Sequence, residues 1–319
     1  MTPYRALVTG GAGFIGSTLV DRLLAEGHNV DVVDDLSTGS LSNLAEARSV
    51  GSGRFSFHKV DVRSADVVDL IKRRQPEVVY HLAAQADVRV SVADPVFDAE
   101  VNVIGSLRVM EGARQCAARK FVFAASGGTL YGNCDRLPLK ETEPYKPISP
   151  YGVSKKSVCD YLLAYREVHG LEFAALALSN VYGPRQDAHG EAGVVAIFAG
   201  RLINGEPCVI YGDGEQTRDF VFVDDVVDAF ARAGERGSGL ICNIGTGRET
   251  TVNDLYKSLA RNAGVTQGPM HAPERAGELR RNCLSPERAG IHLGWKPWTT
   301  LDAGTAAVID WLRRAPSRD

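Results

Sequence analysis

Thr9-Gly10-Gly11-Ala12-Gly13-Phe14-Ile15-Gly16 is the stretch from which the fold of this 319-residue chain is read. Arg5-Ala6-Leu7-Val8-Thr9 is apolar and β-branched, and Phe14 to Glu26 carries the apolar spacing of a helix, so the glycines join a strand to a helix. Gly10-x-x-Gly13-x-x-Gly16 and Gly11-x-Gly13-x-x-Gly16 overlap, and both spacings fit a dinucleotide-binding turn. Without Cβ atoms such a loop lets a pyrophosphate sit against the helix N-terminus and its unpaired N–H groups. A mononucleotide loop is disfavoured, because Ser17 follows Gly16 where a Lys-Ser/Thr pair would be needed.

Working outward, Asn29 to Asp34 reads as a second strand ending in Asp34-Asp35, about eighteen residues after Gly16. A carboxylate there accepts hydrogen bonds from an adenosine ribose and repels a 2′-phosphate, which favours NAD over NADP. The alternation then continues, with strands expected at Phe55 to Lys59, Val78 to Leu82, Phe121 to Ala125 and Phe173 to Leu178. Helices are expected at Ser42 to Arg48, Ala65 to Arg74, Pro95 to Cys116 and Tyr151 to His169. The pattern predicts an α/β chain with a doubly wound, parallel Rossmann sheet covered on both faces. Beyond Asn180 it loosens into shorter elements with more Gly and Pro, so residues 1–180 are read as the NAD-binding domain and 181–319 mainly as a smaller α/β substrate-binding region, interleaved at the boundary. Helices are expected there at about Val194 to Ile203, Asp224 to Ala233, Val252 to Ala263 and Leu301 to Arg313. Asp224-Asp225 is read as capping the second of these.

Composition narrows the partners. A content of 44% hydrophobic and 24% charged residues is that of an ordinary globular enzyme, and a net charge of −3 gives no general attraction to nucleic acid or an anionic membrane. No apolar run approaches the roughly 20 residues of a membrane span, and a first strand starting by Arg5 leaves no room for a secretory leader, so a cytoplasmic protein is expected. The six cysteines form no Cys-x-x-Cys pair and are read as reduced thiols. The seven histidines show no metal-ligand spacing, and no metal is expected.

Tyr151-Gly152-Val153-Ser154-Lys155 carries the chemistry, because residues four apart on a helix stack and can converge on one substrate atom. A phenol must lose about three units from its ordinary value near 10 to act as a base at neutral pH, which corresponds to about 4 kcal/mol. An ammonium or an oxidised nicotinamide at about 4 to 6 Å supplies about 3 to 4 kcal/mol each. Ser126, just past the fifth strand's carboxyl end, is a candidate hydroxyl beside the reacting oxygen, with Thr129 as the second candidate.

Together these residues resemble the extended short-chain dehydrogenase/reductase family, most closely its UDP-glucose 4-epimerase branch. The glycine stretch, Asp34-Asp35-Leu36-Ser37-Thr38-Gly39, Asp61-Val62, His81-Leu82-Ala83-Ala84-Gln85, Asn102-Val-x-Gly105, Tyr131-Gly132, Tyr151-x-x-x-Lys155, Asn180-Val-Tyr-Gly-Pro-Arg185 and Arg218-Asp219-Phe-Val-x-Val223 carry it over nearly the whole chain. The resemblance implies that Gly10, Gly13, Phe14, Ile15 and Gly16 hold the pyrophosphate of a tightly bound NAD. It places Asp34 to Gly39 at the adenosine ribose, Asp61 and Val62 at adenine, and Leu82, Ala83, Ala84, Asn102 and Leu178 along the cofactor channel. For Asn102, a polar residue satisfied within its own helix is an equal reading. Lys155 would also hold the nicotinamide ribose.

The resemblance further implies that Ser126, Asn180, Val195, Tyr211, Arg218, Arg275 and Glu278 contact a UDP-hexose, with both arginines on phosphate. Tyr151 would take the C4 hydroxyl proton, giving a 4-keto sugar that turns and is reduced on its other face. A homodimer is implied through the helices at 95–116 and 151–169. Two departures stand out: the extra glycine in Ser126-Gly127-Gly128-Thr129, and Asn282 where some relatives carry a bulky aromatic that excludes N-acetyl sugars. A 4,6-dehydratase is the enzymatic rival, although Ser126 is followed by two glycines where dehydratases carry Asp-Glu. A UDP-uronate epimerase or decarboxylase is also compatible with these motifs, whereas a non-catalytic NAD-binding sensor, the alternative of another class, is argued against by the retention of both Tyr151 and Lys155.

Overall fold

The computed structural model describes residues 2–134, 136–187, 193–274 and 279–314. Seven strands form one parallel sheet: β1 (Arg5–Thr9), β2 (Asn29–Asp34), β3 (Phe55–Lys59), β4 (Val78–His81), β5 (Lys120–Ser126), β6 (Phe173–Leu178) and β7 (Leu240–Ile244). Their order is β7-β6-β5-β4-β1-β2-β3, which is the doubly wound sheet expected. The order reverses between β1 and β4, so a crevice opens beyond the carboxyl ends of these two strands, where ligands bind in such sheets.

Both faces are covered, which is why the strands read as unbroken apolar runs; every residue of β6, Phe-Ala-Ala-Leu-Ala-Leu, is buried. On one face Leu19 and Leu23 of α1 (Phe14–Ala25) pack with Val226 and Phe230 of a later helix, Val223–Ala233. On the other, Val67 and Leu70 of α2 (Asp66–Arg74) pack with Val109 and Met110 of Gly105–Gln115 and Val158 and Leu162 of Pro150–His169.

The expected helix from Pro95 to Cys116 proves to be three pieces. These are α3 (Pro95–Ala99), a wider π turn at Glu100–Ile104, and α4 (Gly105–Gln115). α5 (Pro150–His169) begins as its sequence dictates. Ser149 caps it by accepting from the Gly152 N–H, Pro150 fills the first turn, and Gly170 ends it at φ 69°.

Beyond β6 the described residues form three small strand pairs: Asn180–Tyr182 with Phe220–Phe222, Val209–Tyr211 with Met270–Ala272, and Thr217–Arg218 with Thr250–Thr251. Helix α6 (Val223–Ala233) and β7 return from this region to the main sheet. Asp224 and Asp225 lie in the first turn of α6, but the cap position is Phe222 and no side chain caps it. The buried Asp225 carboxylate instead accepts from the Trp298 and Thr299 N–H groups and the Thr299 hydroxyl. A carboxylate with three donors offered by a distant loop is satisfied there rather than at its own helix end.

Candidate active site at the carboxyl ends of the strands

The glycine loop is a close-fitting cradle. Gly10 sits at φ 67°, and a Cβ on it would lie 2.7 Å from the Ala83 nitrogen. A Cβ on Gly16 would lie 2.1 Å from the Gly10 oxygen. Gly13, at the head of α1, makes no side-chain cap, so the first N–H groups of the helix face the loop. Asp34 closes this end: Oδ2 accepts from the Ala12 N–H at 2.9 Å and Oδ1 from the Leu36 N–H at 2.8 Å. Burial pushes its carboxyl up, and each oxygen keeps a lone pair for a ribose hydroxyl. Leu36 is held at φ 63°, a strained conformation for a branched residue, and Asp35 turns back to accept from the Ser37 N–H and hydroxyl. Thr38 and Gly39 continue this turn, where a Cβ on Gly39 would lie 2.9 Å from Asp34 Oδ1. The residues present therefore fit an NAD pyrophosphate and adenosine ribose.

Asp61 and Val62 stand beyond β3. Arg63 grips the Asp61 carboxylate through Nε and Nη2, which holds it below the usual carboxylate range, while its guanidinium lies 5.4 Å from the Phe97 ring. Asp61, Arg63, Ser64, Glu100, Ile104 and Arg108 line an open cleft of about 540 Å³. Val62 is buried, against Gly105.

Between these parts runs a buried polar chain that sequence reasoning missed. Ser106 Oγ donates to the Asn102 carbonyl at 2.5 Å, so it accepts from His81 Nε2 at 2.8 Å. His81 Nδ1 is then the acceptor for the Thr9 hydroxyl at 2.7 Å, and Thr9 Oγ1 accepts from the Ala83 N–H at 3.2 Å. The chain fixes one tautomer, and burial pulls the imidazole down to about 3, so it stays neutral. With the Leu82 N–H bonded to the Thr9 carbonyl, it holds Leu82 and Ala83 against the glycine loop, with Ala84 next in the chain. Asn102 has both amide hydrogens taken, by the Gln85 carbonyl and Asp98 Oδ1, and its Oδ1 accepts from the Gln85 N–H.

The residues expected to react gather over β5 and β6. Lys155 is buried; Nζ donates to the Ala124 carbonyl at 3.0 Å and stands 4.8 Å from the Phe123 ring and 5.6 Å from the Tyr151 ring. Burial lowers the ammonium to about 8. Ser126 ends β5 opposite Leu178, the last residue of β6, and leads into the short turn Gly127–Leu130. A Cβ on Gly127 would lie 2.3 Å from Leu284, which accounts for one glycine of the Gly127-Gly128 pair. Thr129 packs against Gly152, next to Tyr151, and its hydroxyl is buried without a hydrogen-bond partner among the described residues. An orphaned buried hydroxyl has a hydrogen bond to offer a ligand.

Of the residues expected on the nucleotide sugar, Asn180 is bonded through its N–H to the Asp219 carbonyl, and its strand pairs with the one following Arg218. Arg218 donates to the Thr217 carbonyl, Tyr211 accepts from Gln216 through its carbonyl, and Val195 is buried on Val194–Ile203. Asn282 is buried, with Oδ1 lacking a partner among the described residues. Arg275 and Glu278 lie outside the described residues. Two hubs hold this region in place. The Asp219 carboxylate, beside Arg218, accepts from the Thr246 N–H and hydroxyl and the Gly247 and Leu284 N–H groups. Asn243 takes the Tyr131 hydroxyl and donates to the Leu139 carbonyl. In the sequence the first hub was signalled by the adjacency of Asp219 to Arg218 and the second by the Tyr131-Gly132 motif, while no motif marked Asn243 itself.

Residues 6–245 match the model of the NAD dependent epimerase/dehydratase family, and the chain belongs to that family. A UDP-glucose 4-epimerase of Mycolicibacterium smegmatis is 49% identical over 97% of this chain and 98% of its own. The crystal structure of a Thermotoga maritima UDP-glucose 4-epimerase with UDP-glucose superposes with a TM-score of 0.93 at 44% identity, covering 97% of this chain and 99% of that one. A Thermus thermophilus UDP-glucose 4-epimerase in complex with NAD gives 0.90 at 42% identity, covering 98% and 100%.

Proposed function

We propose that this chain is a UDP-glucose 4-epimerase, an isomerase that interconverts UDP-glucose and UDP-galactose with a tightly held NAD. The observation that carries the reading is the placement of Lys155 and Tyr151 on α5, beside the ends of β5 and β6, at the sheet edge that also presents the glycine cradle. When bound, NAD supplies the ring that takes the hydride from sugar C4 and returns it to the other face of the ketone. Gly10, Gly13, Phe14, Ile15 and Gly16 would hold its pyrophosphate, Asp34 to Gly39 its adenosine ribose, Asp61 and Val62 its adenine, and Leu82 to Ala84 with Asn102 and Leu178 the channel between.

Tyr151 removes the C4 hydroxyl proton, and Lys155 holds the phenolate by its charge. Ser126 or Thr129 steadies the same oxygen by a hydrogen bond. The ketone must turn between the two half-reactions, so the grip belongs to the nucleotide: Asn180, Val195, Tyr211, Arg218, Arg275 and Glu278 on UDP, with the hexose left loose. Residues 1–180 serve mainly the cofactor and 181–319 mainly the substrate. The protein works in the cytoplasm as a homodimer, with Val92, Val96 and Ile104 on the segment from 88 to 104 and Val153, Tyr161 and Leu163 on α5 exposed for the partner copy.

Incubation with UDP-galactose and no added reductant tests the reading by NMR of the product. UDP-glucose is the expected outcome. A 4-keto-6-deoxy sugar would make the protein a dehydratase, and no turnover would make it a non-catalytic NAD binder. Comparing UDP-N-acetylgalactosamine in the same assay measures the room left beside Asn282.

A further inference from the structure

The π turn at Glu100–Ile104 turns the Asn102 amide toward Asp98, one turn back. Asp98 is fully buried, yet among the described residues it has no basic partner in a hydrogen bond. Its Oδ1 accepts from Asn102 Nδ2 and Gln85 Nε2, each at 2.9 Å, and its Oδ2 from the Ser154 hydroxyl at 2.6 Å. Three donors from the loop after β4, the π turn and α5 therefore meet on one carboxylate. Ser154 precedes Lys155 on α5 and follows Tyr151 by one turn. A buried carboxylate without a cation is costly unless the site uses its charge. The Lys155 ammonium is the cation that feels it, against the cost of its own burial.

We infer that Asp98 is a positioning residue for the reaction: through Ser154 it fixes the first two turns of α5, which carry Tyr151 and Lys155, and its carboxylate is a buried countercharge to the Lys155 ammonium. The inference rests on the epimerase reading for its rate consequences but not for its electrostatics. Among the described residues, the groups facing Lys155 are few. They are the neutral His81 of β4, the Phe123 ring and Ala124 carbonyl of β5, Asp98 of α3, and Cys159 and Tyr151 of its own helix. Burial raises the Cys159 thiol to about 12, so apart from the Tyr151 phenolate that the reaction itself requires, Asp98 is the anion among these groups.

Two variants separate charge from geometry. Asp98→Asn keeps the shape and an acceptor but removes the charge; Ser154→Ala keeps the charge and removes the tie. Both are prepared as holoenzyme and checked for NAD content. The Lys155 titration is followed by the ¹³Cε resonance of labelled lysine, assigned by its loss in Lys155→Arg. Asp98→Asn is expected to move that midpoint down by about one unit, the lower end for loss of a neighbouring opposite charge. The alkaline limb of the turnover profile should shift with it. Ser154→Ala should leave the midpoint in place while kcat falls about tenfold and KM holds. An unmoved Lys155 midpoint in Asp98→Asn, or wild-type kcat in Ser154→Ala, overturns the inference. Absence of UDP-galactose turnover in the wild-type holoenzyme would sink the functional reading alone, since the titration is read without substrate.

Discussion

The placement of Tyr151 and Lys155 on one helix was legible in the sequence, because a spacing of four on a helix survives folding unchanged. Replacing Tyr151 by Phe should leave the NAD content of the purified protein intact and lower turnover by about 10² to 10⁴, the range for loss of a general base. Wild-type turnover in that variant would remove Tyr151 from the mechanism. What the sequence concealed are partners brought together from distant segments: Thr9 with His81 and Ser106, and Asp98 with Ser154. No local pattern announces them, since each residue alone is an ordinary buried polar side chain. His81 also has a measurable consequence. Its folded value of about 3 lies below the unfolded 6.5, so the unfolded chain binds the extra proton between these values. Stability is complete above 6.5 and falls with pH below it, by up to about 1.4 kcal/mol per unit. Urea melts at about pH 7 and about pH 5.5, on either side of the ordinary histidine value, should therefore show a smaller acid loss in His81→Asn than in the wild type; an equal loss would contradict the assignment.

At the scale of elements, the sheet was readable because a parallel strand buried on both faces must be apolar throughout and separated from the next by a crossover. Breaks inside elements were not. The π turn at Glu100–Ile104 interrupts a run whose composition is helical throughout, and within it Asn102 bonds to Gln85 and Asp98, partners that no local pattern announces. Likewise, Asp224-Asp225 has the look of a helix cap, but Asp225 is taken by Trp298 and Thr299 from a segment about seventy residues away. The cradle is the element that can be broken most selectively. Gly16→Ala places a methyl group where the Gly10 carbonyl stands, so the loop must open. The variant should purify folded by circular dichroism but stripped of NAD by chromatography of the denatured protein. Retention of a full complement would show that the pyrophosphate sits elsewhere.

At the scale of the whole molecule, β7 and α6 return from the region beyond β6 to the main sheet, and under the proposed function one chain carries both half-reactions around a resident cofactor. Interleaving of this kind was only partly visible in the sequence, because β7 lies well outside the βα alternation that defines the first half. The exposed apolar helix faces belong to this scale too. Sedimentation should give twice the chain mass, and Val96→Asp with Val153→Asp should give the single-chain mass, since both residues are exposed and neither serves the core. A monomeric wild type would refute the pairing. The most direct test of the central claim uses UDP-galactose carrying deuterium at C4, incubated with the purified protein and no added NAD. The account predicts UDP-glucose with the deuterium still at C4, returned to the opposite face. Deuterium lost to water or carried to C6 would contradict it.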